Sequence, residues 1–471
     1  MSQLFTPSEL AAAIAQSRNM VPLAVDALCE TITRVTGVEP ERQRVEYVSG
    51  FWLMHLCDEM AFDSVVNSGV NVHDPTEEKT ATSLSTTTSR RGRLLSKIGS
   101  ADAKILVVDP YLKAGFATEV LSAFRLRQLV RWGDSPRPDV DVRVGTRGSP
   151  IAGDGVATAM QRRVALTAPF GLVEYHHELV KWADANARPR LRLLYTANAH
   201  QSSLVFRHLA FSQRQCGTKI AIHQHGGGYG IDENHLGEEH DIAISDVFYT
   251  FGWSRPDLGS RVKPLPTAMP QHSRRKNTDI FLLMSLPVTT HFYRLQPFLL
   301  PSHIMRAVDE TVAFANALST STELRVRPSG SDRFPIERLS QSPARVMEDA
   351  SGGRGSIAAS RARLVIHNYL GTSWLETLAM NIPTVCFYDP LMYQPRAAAQ
   401  PFVDALARVG VIHYSGKDAA KFVNSLHGDP SAWWRSAEVQ EAREAFVARY
   451  ANFSDNWLEA WQEEFESLLA E

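Results

Sequence analysis

At 471 residues, with 44% apolar and 21% charged residues, the chain is long enough for two or three domains with large cores and has the composition of a soluble globular protein. A net charge of −2 argues against a nucleic-acid surface as its main business. The start MSQLFTPSEL is not a basic-then-apolar signal, and no apolar run reaches the length of a membrane span, so the expectation is a cytoplasmic protein whose four cysteines, without metal-ligand spacing, are reduced structural thiols.

Residues 1–60 read as helical. Ser8 is placed to cap a first helix, and Phe51–Phe62 is too long an apolar stretch for an ordinary strand. An N-terminal helical extension is therefore expected over 1–100, including a polar, aperiodic loop at 74–93 that carries Arg90, Arg91 and Arg93. From Lys104 strands and helices alternate. Ile105–Val108 ends in Asp109-Pro110, a helical stretch runs to about Val130, and a strand follows at Val140–Val144. After a turn-rich 145–155, Ala157–Ala185 is mostly helical. Arg192–Tyr195 is a strand ending in Thr-Ala-Asn198-Ala-His, Ser202–Gln215 is helix, and Lys219–His223 is strand. Alternation of this kind means crossover units on a parallel sheet, a Rossmann-like domain over 101–262.

Its last strands frame the first focal stretch, His223-Gln224-His225-Gly226-Gly227-Gly228-Tyr229-Gly230. Glycines let a ligand approach the backbone closely, and a sheet end carrying Gln224, His225 and bare amides suits developing charge on a substrate oxygen. A tight turn with a structural histidine is the bland alternative. The oxyanion loop of an α/β-hydrolase is a second alternative, disfavoured because it needs a nucleophile elbow downstream and the nearest match has Leu375 in place of the second glycine. Asp232, Glu233, Glu238, Glu239, His240 and Asp241 follow, either a solvated acidic face or the source of a general base. Asp246–Thr250 is the next strand.

The proline-rich, basic segment 263–278 reads as a linker, and a second α/β series begins beyond it, a Rossmann-like domain over 279–435. Asp279–Met284 is strand, Ser302–Leu318 helix, and Glu323–Val326 a strand on which Arg325 and Arg327 share one face. Those guanidinium groups are placed either to grip a phosphate or to pair with a nearby carboxylate. The second focal stretch is Arg361–Pro390: strand Leu364–His367, then Asn368-Tyr-Leu-Gly371-Thr372-Ser373, a helix over Trp374–Asn381, and strand Thr384–Tyr388. The start of that helix is a ready anion site, with Glu376 able to reach a ribose, although Ser373 and Glu376 also spell a capping box. Past Tyr388 the chain reads as helical to its end. The terminal helices, 436–471, carry Trp457, Trp461, Phe465 and Leu468 as one buried stripe and pack back on the body.

Two α/β halves with ligand-type residues at their strand ends imply a cleft between domains. The arrangement resembles the GT-B glycosyltransferase architecture. More closely, it resembles a family of bacterial transferases found with surface-polysaccharide and flagellar glycosylation functions. That resemblance rests on Glu46-Tyr47-Val-Ser-Gly50-Phe-Trp52-Leu53, Gln224-His225-Gly-Gly-Gly-Tyr229-Gly230, Glu239-His240, Tyr249-Thr-Phe-Gly252-Trp253 and His367-Asn368-Tyr-Leu-Gly-Thr372-Ser373-Trp-Leu-Glu376-Thr. In outline it is similar to capsule transferases that use CMP-activated keto-sugar acids of the Kdo or sialic type. Arg325-Val-Arg327-Pro328 resembles the His-Pro phosphate element of sialyltransferases, with Arg in place of His.

The resemblance implies a glycosyltransferase, and no cofactor is expected. A helix N-terminus with arginine in place of a divalent metal, together with the lack of a DxD-like motif at a strand end, leads to the expectation of metal independence. By the same resemblance the expected donor is a nucleotide sugar, CMP-linked by preference, and the acceptor a glycan, lipid-linked glycan or flagellin; peripheral membrane association is compatible with this. Donor contacts are expected from Gly226, Gly227, Gly228, Arg325, Arg327, Asn368, Gly371, Thr372, Ser373 and Glu376, and acceptor contacts from Gln224, Tyr229 and Asn198. The base is expected among His225, Asp232, Glu238 and Glu239. A CDP-alditol phosphotransferase, which would release CMP with a phosphodiester product, a sugar-nucleotide 2-epimerase, which needs no acceptor, and a non-catalytic nucleotide-sugar binder are the alternatives.

Overall fold

Ile105–Val108, Leu193–Thr196 and Leu364–His367 are buried at every position rather than at alternate ones. Continuous burial of this kind belongs to parallel strands covered on both faces. The computed structural model describes residues 7–63, 103–109, 130–133, 154–270, 280–286, 301–328 and 334–470. The polar loop 74–93 with Arg90, Arg91 and Arg93, the strand Val140–Val144, and residues 271–278 of the linker lie outside the described residues.

Two helices come first, α1 (Pro7–Thr36) and α2 (Arg42–Asp63). They are not a detached extension: Leu28, Leu53 and Leu56 share one apolar core with Val108, Phe206 and Ile222. The first lobe continues through β1 (Ile105–Val108), β2 (Val130–Gly133), α3 (Val156–Thr167), α4 (His176–Asn186), β3 (Leu193–Thr196), α5 (Ala199–Ser202), α6 (Leu204–Gln215), β4 (Lys219–His223), α7 (Leu236–Ile244), β5 (Val247–Thr250), β6 (Val262–Pro264) and β7 (Thr267–Ala268). Its six-stranded sheet is parallel, in the order β2-β1-β3-β4-β5-β6, and reaches Pro264, just past the expected boundary.

The second lobe runs through β8 (Phe281–Met284), α8 (Pro301–Ala317), β9 (Glu323–Arg327), α9 (Phe334–Leu339), β10 (Arg345–Glu348), α10 (Gly355–Ala359), β11 (Leu364–His367), α11 (Thr372–Ala379), β12 (Thr384–Phe387), α12 (Gln400–Arg408), β13 (Ile412–His413) and α13 (Gly416–Ser425). Its sheet is again six-stranded and parallel, ordered β10-β9-β8-β11-β12-β13. Each sheet reverses its strand order once, between β1 and β3 and between β8 and β11. Ligands of open α/β sheets collect beyond the carboxyl ends of strands at such points.

The chain does not turn helical directly after Tyr388. Residues 389–399 form an irregular strap of turns, because Pro390 and Pro395 keep the residues before them out of the helical region. After α14 (Ser431–Trp434) and α15 (Ala437–Tyr450), β14 (Phe453–Ser454) pairs in parallel with β7. The last helix, α16 (Trp457–Ala470), then returns to the first lobe. Its stripe of Trp457, Trp461, Phe465 and Leu468 covers Ile105, Val107, Leu193, Tyr195, Ala221 and Tyr249, so the tryptophans are core residues. Glu464 on the same helix accepts from Tyr249 Oη at 2.8 Å and pairs with Lys263. Among the described residues no helix is long and apolar enough to cross a membrane.

Candidate active site between the two lobes

The glycine loop leaves β4 at the carboxyl edge of the first sheet and is held there by Gln224, which is fully buried. The Gln224 amide oxygen accepts from the Phe251 N–H at 2.9 Å and from Trp253 Nε1 at 2.8 Å, while its nitrogen donates to the Gly226 carbonyl at 2.8 Å. A side chain expected on the acceptor side is thus the brace of the loop. Gly228 has φ of 87°, and a Cβ there would stand 2.6 Å from Asp232 Oδ2 and 2.9 Å from the His235 ring, so both conformation and space demand glycine.

Across the cleft, α11 begins at Thr372 with Gly371 as its N-cap and no side-chain cap, so the box that Ser373 and Glu376 spell does not form. The two focal stretches meet directly. The Gly227 N–H donates to Thr372 Oγ1 at 3.0 Å, and Gly226 lies against the same oxygen. A methyl group on Gly227 would stand 2.5 Å from the Gly371 carbonyl carbon and 2.8 Å from the Thr372 nitrogen. Both are backbone atoms that cannot swing aside. Gly227→Ala is therefore expected to drive the lobes apart at a cost of about 1–3 kcal/mol. A lower urea midpoint with a larger radius of gyration in X-ray scattering would show this; an unchanged midpoint would refute the contact.

The strap completes the junction. Asp232 forms a bridge with Pro395, the Glu233 N–H donates to the Gln394 carbonyl at 2.7 Å, and the Arg396 N–H to the Ile231 carbonyl at 2.8 Å. The Arg396 guanidinium donates to the Asp232 carbonyl at 2.8 Å and pairs with Glu238 at 2.9 Å. Nothing local marked Arg396 in the sequence, since its partners lie in the other lobe.

These contacts separate the candidate bases. Glu238 is almost fully buried, and its carboxylate takes the Gly230 N–H at 2.6 Å as well as Arg396, which makes it a clamp on the loop. Glu239 points away from the junction and pairs with Arg18 of α1 at 2.7 Å. Asp232 is buried with Oδ1 lacking a hydrogen-bond partner among the described residues; burial pushes its carboxyl well above the usual range, against the pull of Arg396. His225, 8% exposed, has its ring 5.6 Å from that of Tyr229 and 6.1 Å from that of His200.

Beneath the loop lies a network centred on Asp241, fully buried on α7. Its carboxylate takes His200 Nε2 at 2.7 Å, Tyr229 Oη at 2.8 Å and the Gln201 amide at 3.1 Å. Burial opposes ionisation of Asp241, yet the charge and hydrogen bond of His200, with help from His240 and His225, hold its carboxyl well below the usual range. Tyr229, expected on the acceptor side, is therefore an internal strut. Asn198 is half-buried at the start of α5, and its N–H donates to the Asp109 carbonyl at 3.3 Å.

In the second lobe Asn368 is committed at the switch point. Its side-chain oxygen accepts from the Leu286 N–H and its nitrogen donates to Thr311 Oγ1, both at 2.8 Å. Arg325 pairs with Glu323 at 3.3 Å. Arg327 pairs with Asp349 at 2.6 Å and donates to the Gly353 carbonyl at 2.6 Å, so the carboxylate alternative describes both arginines in this structure. Ser373 and Glu376 are half-buried on the first turns of α11.

No curated protein matches the chain. Among solved structures, a spinosyn rhamnosyltransferase, SpnG, complexed with spinosyn aglycone, is similar over 78% of this chain and 100% of its own, at 11% identity and a TM-score of 0.35. The sequence model of the LIC12162 transferase family matches residues 54–465, a span that takes in both sheets, the glycine loop, the strap and α11. The chain belongs to the LIC12162 family of transferases.

Proposed function

We propose that this transferase moves a sugar from a nucleotide donor to a glycan. In its specific form, a nonulosonic or other keto-sugar acid passes from a CMP donor to a surface polysaccharide, lipid-linked glycan or flagellin, in the cytoplasm and without a metal. What supports the reading is the meeting of Gly227 and Thr372, which sets the glycine loop of one parallel sheet against the helix start of the other. A donor phosphate enters by replacing the Gly227 amide at Thr372, where a helix N-terminus favours negative charge. Gly371 and Ser373 line that position, and Glu376, one turn further, takes the ribose. Arg325 and Arg327 join by exchanging their carboxylate partners for phosphate. The acceptor approaches from the first lobe beside His225.

A thermal-shift panel of CMP, CDP, UDP, GDP and their sugars tests this. A ligand bound only by the folded state at 100 times its Kd adds about 2.7 kcal/mol of stability, so one base should raise the melting point selectively. Glu376→Ala should abolish most of that shift. No shift with any nucleotide or nucleotide sugar would overturn the donor assignment.

A further inference from the structure

His200 stands where the first sheet reverses its order, just beyond the carboxyl end of β3 and beside that of β1. The residue that closes β1, Asp109, has φ of 43°, a conformation that aspartate holds only when its surroundings enforce it, and its carbonyl accepts the Ala197 N–H at 3.2 Å. His200 itself is 1% exposed. Its Nε2 lies 2.7 Å from Asp241 Oδ1, and an ionised carboxylate can only accept, so Nε2 carries a hydrogen and, whenever the ring is neutral, Nδ1 carries the lone pair. That Nδ1 is buried without a hydrogen-bond partner among the described residues. A buried acceptor left empty is costly, and its tautomer here is already fixed for receiving a proton.

The groups that face His200 are Asp241 and His240 of α7, His225 of the glycine loop, and Asp109, whose carboxyl is raised by desolvation and drawn back by the charge of His200. An aspartate fixing one imidazole nitrogen so that the other can take a proton is the logic of an orienting dyad. We propose that His200 is the catalytic base of this transferase, with Asp241 as its positioning residue.

The inference rests on the glycosyl-transfer reading. His200 Nδ1 takes the proton of the acceptor hydroxyl while the acceptor oxygen bonds to the sugar carbon. The bond between that carbon and the phosphate oxygen breaks, and the nucleotide leaves with the electron pair. Asp241 then stabilises the imidazolium through Nε2–H. His225 shapes the approach of the hydroxyl.

The test compares the full-length protein with H200Q, D241N and H225N, measuring kcat and donor KM across pH with the nucleotide sugar selected by the thermal panel. H200Q should lower kcat by about 10²–10⁴-fold, the usual range for a general base, keep donor KM within about threefold, and erase the acid limb of the profile. D241N should move that limb to lower pH and remove a strongly deshielded imidazole proton from the NMR spectrum, a readout that serves even if H200Q fails to fold. H225N should lower turnover yet keep the limb. An acid limb that survives H200Q or stays in place in D241N would overturn His200 as the base and leave glycosyl transfer standing. A wild-type protein that binds donor sugars without transferring them would overturn both.

Discussion

Replacing Arg396 with methionine is expected to cost about 3–5 kcal/mol, the range for removing one partner of a buried ion pair. The side chains of Arg396 and Glu238 are 16% and 3% exposed, and Nη1 lies 2.9 Å from Oε1. Without the guanidinium, Glu238 keeps the Gly230 N–H and the distant Arg255 at 3.8 Å, which does not compensate a buried charge. The Asp232 carbonyl loses its donors at the same time. Urea unfolding of the intact chain reads the loss. Glu238→Gln in the R396M background should recover part of it, since the uncompensated charge is then gone, and the double-mutant cycle isolates the pair. A single R396M variant within 1 kcal/mol of the parent would show that the strap and the loop do not depend on each other.

Acidification should weaken the fold steeply below pH 6.5. Burial pushes the His176, His223 and His367 imidazoles down to about 3, with the charges of His177 and Arg44 adding to the effect on His176. Burial likewise lowers His208, His235, His240 and His413. A histidine lowered in the native state leaves stability untouched above its unfolded value. As pH falls from 6.5 toward 3 the unfolded chain takes a proton that the native chain refuses, and stability is lost. At pH 5 each of the three contributes a loss of about 2 kcal/mol, and together about 6 kcal/mol. Asp58, Asp109 and Asp232, raised by burial, act in the opposite sense, gaining stability as pH falls toward the usual carboxylate range. The histidines outnumber them, so the net slope is positive. Unfolding free energies measured between pH 7.5 and 5 should show it, and His367→Asn should flatten the slope by about one proton. A flat profile would mean that these rings are wet.

The strands β1, β3, β4, β5, β8, β9, β11 and β12 and both focal stretches were legible in the sequence because each rests on local chemistry: unbroken or alternating apolar runs, glycine density, a Gly-Thr-Ser helix start. The short or edge strands β2, β6, β7, β10, β13 and β14, which lack such runs, were not. What could not be read depends on helix phase or on distant partners. Glu238 and Glu239 are neighbours in sequence, yet on α7 they diverge around the helix, one into the glycine loop and the other toward Arg18 on α1. Which of the two turns inward depends on the faces that the rest of the fold covers. The acidic cluster as a general-base source thus resolves into an outward ion pair, a loop clamp, a buried Asp232 and the hub Asp241. Arg325 and Arg327 alternate with Leu324 and Val326 as the pattern demanded, but their partners Glu323 and Asp349 become visible only in the folded sheet. His200 reads as the tail of Thr-Ala-Asn-Ala-His. Its bond to Asp241, 41 positions on, is what gives it meaning.

The return of α16 to the first sheet carries a consequence for how the polypeptide is made. One face of that sheet, with Ile105, Val107, Leu193, Tyr195, Ala221 and Tyr249, is sealed by Trp457, Trp461, Phe465 and Leu468 at the far end of the chain. During synthesis the half that emerges first therefore stays greasy on one side until the final helix has left the ribosome. Cutting the gene between the lobes would yield two fragments of which the leading one is sticky, and supplying the tail as a separate peptide should restore its solubility.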